Sequence, residues 1–352
     1  MLITFKAKTK YKIKVAVHFM IIKKYRTKPF ELLQHEHLLK RLPENHYQYN
    51  KIENQMRVLT SGYIGEKSLD YFITLIPHND LFVFQDLRLP NIGGTTFQID
   101  FLLFTPYFFI ILDSKYLKGK LNLSEFQLVQ EYEDRVKVYQ NPIDQVHNQL
   151  YNFKQLLQRY SFIIPPSHPF VVFTHPNSIL ELTSDHTNLK KYILRPEKIR
   201  TIINEYFERM NENYYTIEEM NELSQLLIRL HTPKTTNILE YYKINYEEIR
   251  KGVFCPDCGG KVIKEYGWIC TRCNNDNQQI YLETMLDYYY LYGEQITMRA
   301  CVDFFQLNSR HIAYYLLKKQ SFIHVIDNRK GIYQIDIKKL KKKIYKKQLK
   351  IE

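Results

Sequence analysis

Gln98-Ile99-Asp100-Phe101-Leu102-Leu103-Phe104-Thr105-Pro106-Tyr107-Phe108-Phe109-Ile110-Ile111-Leu112-Asp113-Ser114-Lys115 decides how the first half of the chain folds. Two apolar runs, rich in β-branched and aromatic residues, flank Thr105-Pro106, and each carries acid where packing alone would not put it. This pattern predicts two strands joined by a tight turn, an antiparallel hairpin. A two-residue turn pairs Phe104 with Tyr107, hence Asp100 with Ile111 and Gln98 with Asp113. Side chains alternate faces along a strand, so Asp100, Asp113 and Lys115 emerge together, the two carboxylates diagonal neighbours within about 7–8 Å at the backbone. Two such acids suit one shared divalent cation. Lys115 beside them suits a group that holds a water or meets developing negative charge. The bland alternative is strand-end charge at a solvated rim.

A third acid lies upstream. In residues 61–76, Leu69, Ile73 and Ile76 make one apolar face at helical spacing, and Glu66 falls on that face. A helix N-terminal acid favoured by the dipole is the simple account. An acid pointing inward at a sheet that carries Asp100 and Asp113 is the functional one.

Gly65-Glu66, Gln98-Ile99-Asp100, Ile111-Leu112-Asp113-Ser114-Lys115 and Gln140-Asn141-Pro142-Ile143-Asp144-Gln145 follow in an order and spacing that resemble the nuclease-related domain, NERD, of the PD-(D/E)XK nuclease superfamily. The resemblance spans roughly residues 55–180. It implies an α/β, restriction-endonuclease-like core with a mixed central sheet flanked by helices, and a Mg²⁺- or Mn²⁺-dependent phosphodiesterase. Asp100, Asp113 and Lys115 take the catalytic positions, with Glu66 on the first core helix and Gln145 on the following one. Asp113 stands where Glu is more frequent, and Phe101 where many members carry His.

With 352 residues, 45% of them hydrophobic, there is material for two or three domains. A formal charge of +13 and a pI near 9.2 favour a nucleic-acid partner. The longest apolar run, from Phe101 to Leu112, is broken by Pro106 and bounded by acids, too short for a bilayer. The start of the chain lacks a small-residue cleavage site after its apolar stretch, and the reading is cytoplasmic. Residues 1–19 are expected to be an extension outside the fold, 20–54 a helical lead-in, 55–232 the nuclease-like domain and 233–251 a linker.

Cys255-Pro256-Asp257-Cys258 and Cys270-Thr271-Arg272-Cys273, with residues 259–269 between them, have the spacing of two thiolate knuckles closing one tetrahedral Zn²⁺ site. Four sulfurs leave no open position, so the metal is structural, and residues 252–280 read as a zinc ribbon. A disulfide pair is the alternative. Trp268 is expected to pack the ribbon and Cys301 to be a core thiol.

Residues 281–352 read as helix, helix, turn, helix and hairpin, resembling a winged helix-turn-helix with a basic tail. Arg310, His311, Tyr314 and Lys318 would face outward from its third helix, with Arg329 and Lys330 tipping the wing. DNA is one partner for such a surface and another protein the second. The whole reads as a metal-dependent nuclease acting on DNA. The alternatives are a non-catalytic nucleic-acid-binding or regulatory protein that keeps the fold, and a transcription regulator led by its C-terminal domain.

Overall fold

The computed structural model describes residues 20–182, 187–210, 212–264, 267–276 and 279–348. The extension expected over residues 1–19 lies outside them. The chain folds as two compact units. One takes the chain up to Thr27 with Gly62–Thr232; the other takes Lys28–Ser61 with everything from Pro233 on.

The described residues begin with β1 (Ile21–Lys24), α1 (Phe30–Arg41) and the long α2 (Tyr49–Thr74), within which the unit boundary falls. It continues through β2 (Phe82–Pro90), β3 (Thr96–Phe104), β4 (Phe109–Lys115), β5 (Gly119–Leu123), β6 (Gln127–Tyr132), β7 (Arg135–Gln140) and α3 (Pro142–Arg159). Then come β8 (Ser167–Phe173), β9 (Ser178–Leu182), β10 (Ile193–Leu194), α4 (Ile199–Arg209) and α5 (Ile217–Leu230). The main sheet is mixed, in the order β1-β2-β3-β4-β8-β10, and α3 makes the crossover between parallel β4 and β8. A smaller sheet, β7-β6-β5-β9, continues the path of β4 and β8.

Both faces of the main sheet are covered, so its central strands read as continuous apolar runs rather than alternating ones. On one face Leu102, Phe104, Phe109 and Ile111 pack with Val146 and Phe153 of α3 and Met220 and Leu223 of α5. On the other, Leu103, Ile110 and Leu112 pack with Leu69 and Ile73 of α2 and Ile199 and Ile203 of α4.

The expected hairpin forms with a longer turn than two residues. Phe104 pairs with Phe109 and Phe101 with Leu112, so Tyr107 and Phe108 join the turn. The reason is Thr105: its hydroxyl accepts from Tyr107 N at 3.2 Å and Phe108 N at 2.9 Å, while its own N–H reaches Phe108 O. The expected register is thus corrected by two positions, and a shift of two preserves every face. One step further along the same ladder, Asp100 stands opposite Asp113 rather than opposite Ile111.

The second unit packs α1 against α7 (Tyr281–Tyr292), with α6 (Ile238–Tyr242) and the three-stranded ribbon β11 (Val253–Phe254), β12 (Lys261–Lys264) and β13 (Trp268–Cys270). Then follow β14 (Gln295–Thr297), α8 (Met298–Phe305), α9 (Arg310–Lys318), β15 (Ile323–Asp327), β16 (Ile332–Ile335) and α10 (Ile337–Gln348). Its second small sheet runs β14-β16-β15. A buried charge cluster ties α1 to α7: Arg41 Nη2 lies 2.5 Å from Asp287 Oδ2, and His37 Nδ1 2.6 Å from Asp287 Oδ1. Burial would raise the Asp287 pKa, but Arg41 and His37 outweigh it and hold the carboxyl below its usual range. Within residues 20–54, then, α1 contributes to this unit and not to the nuclease-like one. Residues 233–251, read as a linker, include α6 with Ile238, Leu239 and Tyr242 buried.

Among the described residues, no helix is long and apolar enough to cross a membrane.

Candidate active site

Asp113 sits near the end of β4 with only 1% of its surface exposed. The Lys115 ammonium lies 2.5 Å from its Oδ2. Two amides of α3, one turn apart, donate to Oδ1: Gln145 Nε2 at 3.1 Å and Gln149 Nε2 at 3.0 Å. Gln145 also accepts from Lys115 Nζ at 3.0 Å, closing a ring of three side chains. Proline at the first turn and Asn141 as N-cap fix where α3 starts, and therefore where Gln145 and Gln149 point.

Across the ladder, Asp100 Oδ2 accepts from Ser114 N at 2.8 Å. Burial first, and the Asp113 carboxylate second, push Asp100 up to about 7, against the pull of Lys115, the Ser114 amide and Arg26. Two carboxylates in a water-poor site resist being ionised together. One buried oxygen on this face, Gln149 Oε1, completes no hydrogen bond among the described residues, and Asp113 Oδ2 is met by the Lys115 ammonium.

Glu66 is not brought to this pair. Its carboxylate is ion-paired with Nη1 of Arg26, whose Nη2 donates to Asp100 O at 3.2 Å and whose guanidinium lies over the Phe101 ring at 4.7 Å. The cause is Arg26 itself, a desolvated cation whose nearest anions, Glu66 and Asp70, both come from α2. Glu66 is therefore linked to Asp100 through an arginine. Gly65 is needed beside it, because a Cβ there would run into the Tyr116 side chain and lie 3.2 Å from Thr174 Oγ1.

A cleft of about 550 Å³ opens along α3, with Gln145 and Gln149 in its wall beside Gln98, Asn148 and Asn152.

A family model of the nuclease-related domain, NERD, matches residues 61–174. No curated protein and no solved structure matches the chain. The NERD match contains Glu66, Asp100, Asp113, Lys115 and Gln145, and it gives this region a nuclease-related character. Arg26 lies outside it. Sequence reasoning missed Arg26 and Gln149 as site residues. Gln149 carried a signal, an amide on the buried stripe of Val146, Leu150 and Phe153. Arg26 carried none beyond its charge.

Outside the NERD region, the Sγ atoms of Cys255, Cys258, Cys270 and Cys273 lie within 4.8 Å of one another and could hold a structural metal such as zinc. Backbone N–H groups of Gly260 and Arg272 donate to the sulfurs of Cys258 and Cys270 at 3.4 Å each, contacts that favour the charged form of a sulfur. Gly260 permits this approach: a Cβ there would meet Arg272 Cβ at 2.7 Å and both of those sulfurs at 3.1–3.2 Å. Trp268 is buried and stacks on Tyr281 at 5.6 Å, and Cys301 is a buried thiol that burial pushes up to about 12.

On α9, Arg310, His311, Tyr314 and Lys318 share an exposed face, while Ala313, Leu316 and Leu317 are buried. Arg329 and Lys330 are exposed at the β15–β16 turn, where Asp327 Oδ1 accepts from both backbone amides.

Proposed function

We propose that the NERD-containing unit is a divalent-metal-dependent nuclease that hydrolyses phosphodiester bonds in DNA. The observation that carries this reading is the facing pair of acids, half-buried Asp100 raised to about 7 beside buried Asp113, with Lys115 on the same face. The donor set fits Mg²⁺ or Mn²⁺: hard oxygens, two carboxylates and the free buried amide oxygen of Gln149, for ions that keep waters and take substrate phosphate as further ligands. Bound by Asp100 and Asp113, such an ion would neutralise charge on the phosphate and lower the pKa of a water.

The protein's own groups supply the rest. Gln145 and Gln149 hold Asp113 in one orientation. Lys115, fixed between Asp113 and Gln145, orients the attacking water and meets the charge that develops on phosphorus oxygens. Arg26, backed by Glu66, braces the β3 backbone at Asp100. In this reading Glu66 supports the site rather than completing a metal shell.

The test is incubation of the purified protein with linear, circular and single-stranded DNA, with Mg²⁺ or Mn²⁺ and with chelator. Cation-dependent cutting is expected, and Asp113→Asn or Lys115→Ala should lower it by at least about 10²–10³-fold with DNA binding nearly intact. Equal cutting by Asp113→Asn and wild type would overturn the assignment. The second reading, a non-catalytic nucleic-acid-binding protein, draws on the engagement of Glu66 by Arg26 and expects binding without cutting under every cation.

We also propose one structural Zn²⁺ at the four cysteines, making residues 252–280 a zinc ribbon. Residues 281–352 we read as a winged-helix-like module that contacts phosphate through Arg310, Lys318, Arg329 and Lys330. The order of three helices and a three-stranded sheet from α7 to β16 supports that reading.

A further inference from the structure

The cleft beside Asp113 has a chemistry that phosphodiester hydrolysis alone does not require. Its polar wall is mainly neutral amide, from Gln98, Gln140, Gln145, Asn148 and Asn152, and among the described residues its one charged lining group is acidic, Asp144. No described lysine or arginine lines it. Cations supply most of the attraction to a phosphate backbone, whereas Asn and Gln amides, which can also touch phosphate, match in addition the donor and acceptor edges of bases.

Phe97 forms part of the wall, and Phe126 stands in it with 82% of its surface exposed. An exposed phenylalanine on a loose loop would mean little, but this one is held. Buried Asn141, the N-cap of α3, donates from Nδ2 to Ser124 O at 3.2 Å and Glu125 O at 2.7 Å, and Ser124 N bonds Gln127 O at 3.0 Å. The residue that starts α3 thus also fixes the turn presenting Phe126. An aromatic ring held beside an array of amides is the arrangement that stacks and reads an unpaired base. In a duplex, a base has its faces stacked and its pairing edge occupied. Gln145 and Gln149 belong both to this wall and to the amides that donate to Asp113, so the cleft lies one side chain away from that acid.

We propose that this cleft takes an unpaired nucleobase next to the scissile phosphate, so that the substrate of the site is single-stranded nucleic acid. The inference rests on the nuclease reading for the words "scissile phosphate", while base binding itself is measurable without cleavage.

The experiment uses the full chain carrying Arg310→Ala, Lys318→Ala, Arg329→Ala and Lys330→Ala, so that the basic face of the other unit does not dominate binding. Fluorescence anisotropy in chelator compares a single-stranded oligonucleotide, its blunt duplex and an abasic strand of equal length. Phe126→Ala should weaken binding of the single strand by about five- to a hundred-fold and Phe126→Trp should retain it. Duplex and abasic strand should be insensitive to both. Asn148→Ala, at a second exposed position, should also weaken the single strand selectively. An abasic strand bound as tightly as the normal one, or equal effects of Phe126→Ala on single strand and duplex, would overturn the proposal. Asp113→Asn that cuts like wild type would overturn only the catalytic reading, because the anisotropy ratios do not depend on cutting.

Discussion

At the scale of single residues, Asp100 has the clearest measurable consequence. Its lift from 3.8 to about 7 means that the folded protein binds this proton more tightly than the unfolded chain does. Asp100 therefore contributes stability that is fully present below about pH 4 and lost as pH rises through about 7. On the proposed metal-dependent reading, a divalent cation would replace the proton and reverse the loss. Melting temperature measured from pH 4 to 8 should show an Asp100-dependent decline without cation and recovery with millimolar Mg²⁺ at the upper end. Asp100→Asn should remove both the decline and the recovery; a variant that kept both would show that another group is responsible.

At the scale of elements, what could be read in advance was what strand parity and local spacing encode. Asp100, Asp113 and Lys115 share a face because alternation survives a shift of two, so their juxtaposition was legible even though the turn was not. The turn length depended on one hydroxyl, Thr105, whose bonds to Tyr107 and Phe108 no apolar pattern announces. The partner of Glu66 was hidden for another reason. Arg26 is 40 residues away in sequence, and an ion pair between a strand end and a helix leaves no periodic trace. β7 and β14 also went unforeseen, the first because its side chains are almost all exposed and the second because it is only three residues long. The cysteine spacing, by contrast, was a complete statement, since four thiols brought within 4.8 Å are what two such knuckles predict. Metal analysis should return about one Zn²⁺ per chain. Cys255→Ser with Cys258→Ser should abolish that content and unfold the ribbon, read by protease cutting within residues 252–280; four readily alkylated thiols in the native protein would contradict the site.

At the scale of the whole molecule, the basic charge is divided between roles. Lys115 and Arg26 serve the acids, whereas Arg310, Lys318, Arg329 and Lys330 lie exposed on α9 and the β15–β16 turn. Those four should carry phosphate contacts, each worth about 0.9 in the slope of log affinity against log salt. Replacing all four with alanine should weaken duplex binding and flatten its slope by up to roughly 3–4, while cation-dependent cutting persists at high enzyme concentration. An unchanged slope in a binding titration at several salt concentrations would assign this face to a protein partner. Substitution is the cleaner instrument here, because ending the chain at Thr232 would strip Leu38, Leu42 and Ile52 of the core they share with residues beyond 233.

That shared core has a consequence for how the protein comes into being. Residues 28–61 leave the ribosome early, yet their packing partner α7 follows only after the whole of the intervening unit has been synthesised. At about 5–20 residues per second, the wait from Ser61 to Tyr281 is roughly ten to forty seconds. Throughout it, the buried face of α1 has only the adjoining start of α2 to close against, so the nascent chain should expose it. Chains stalled before residue 281 should be cut by protease within residues 28–61, and full-length released chains should not; equal protection in both would mean that α1 finds shelter before its partner exists.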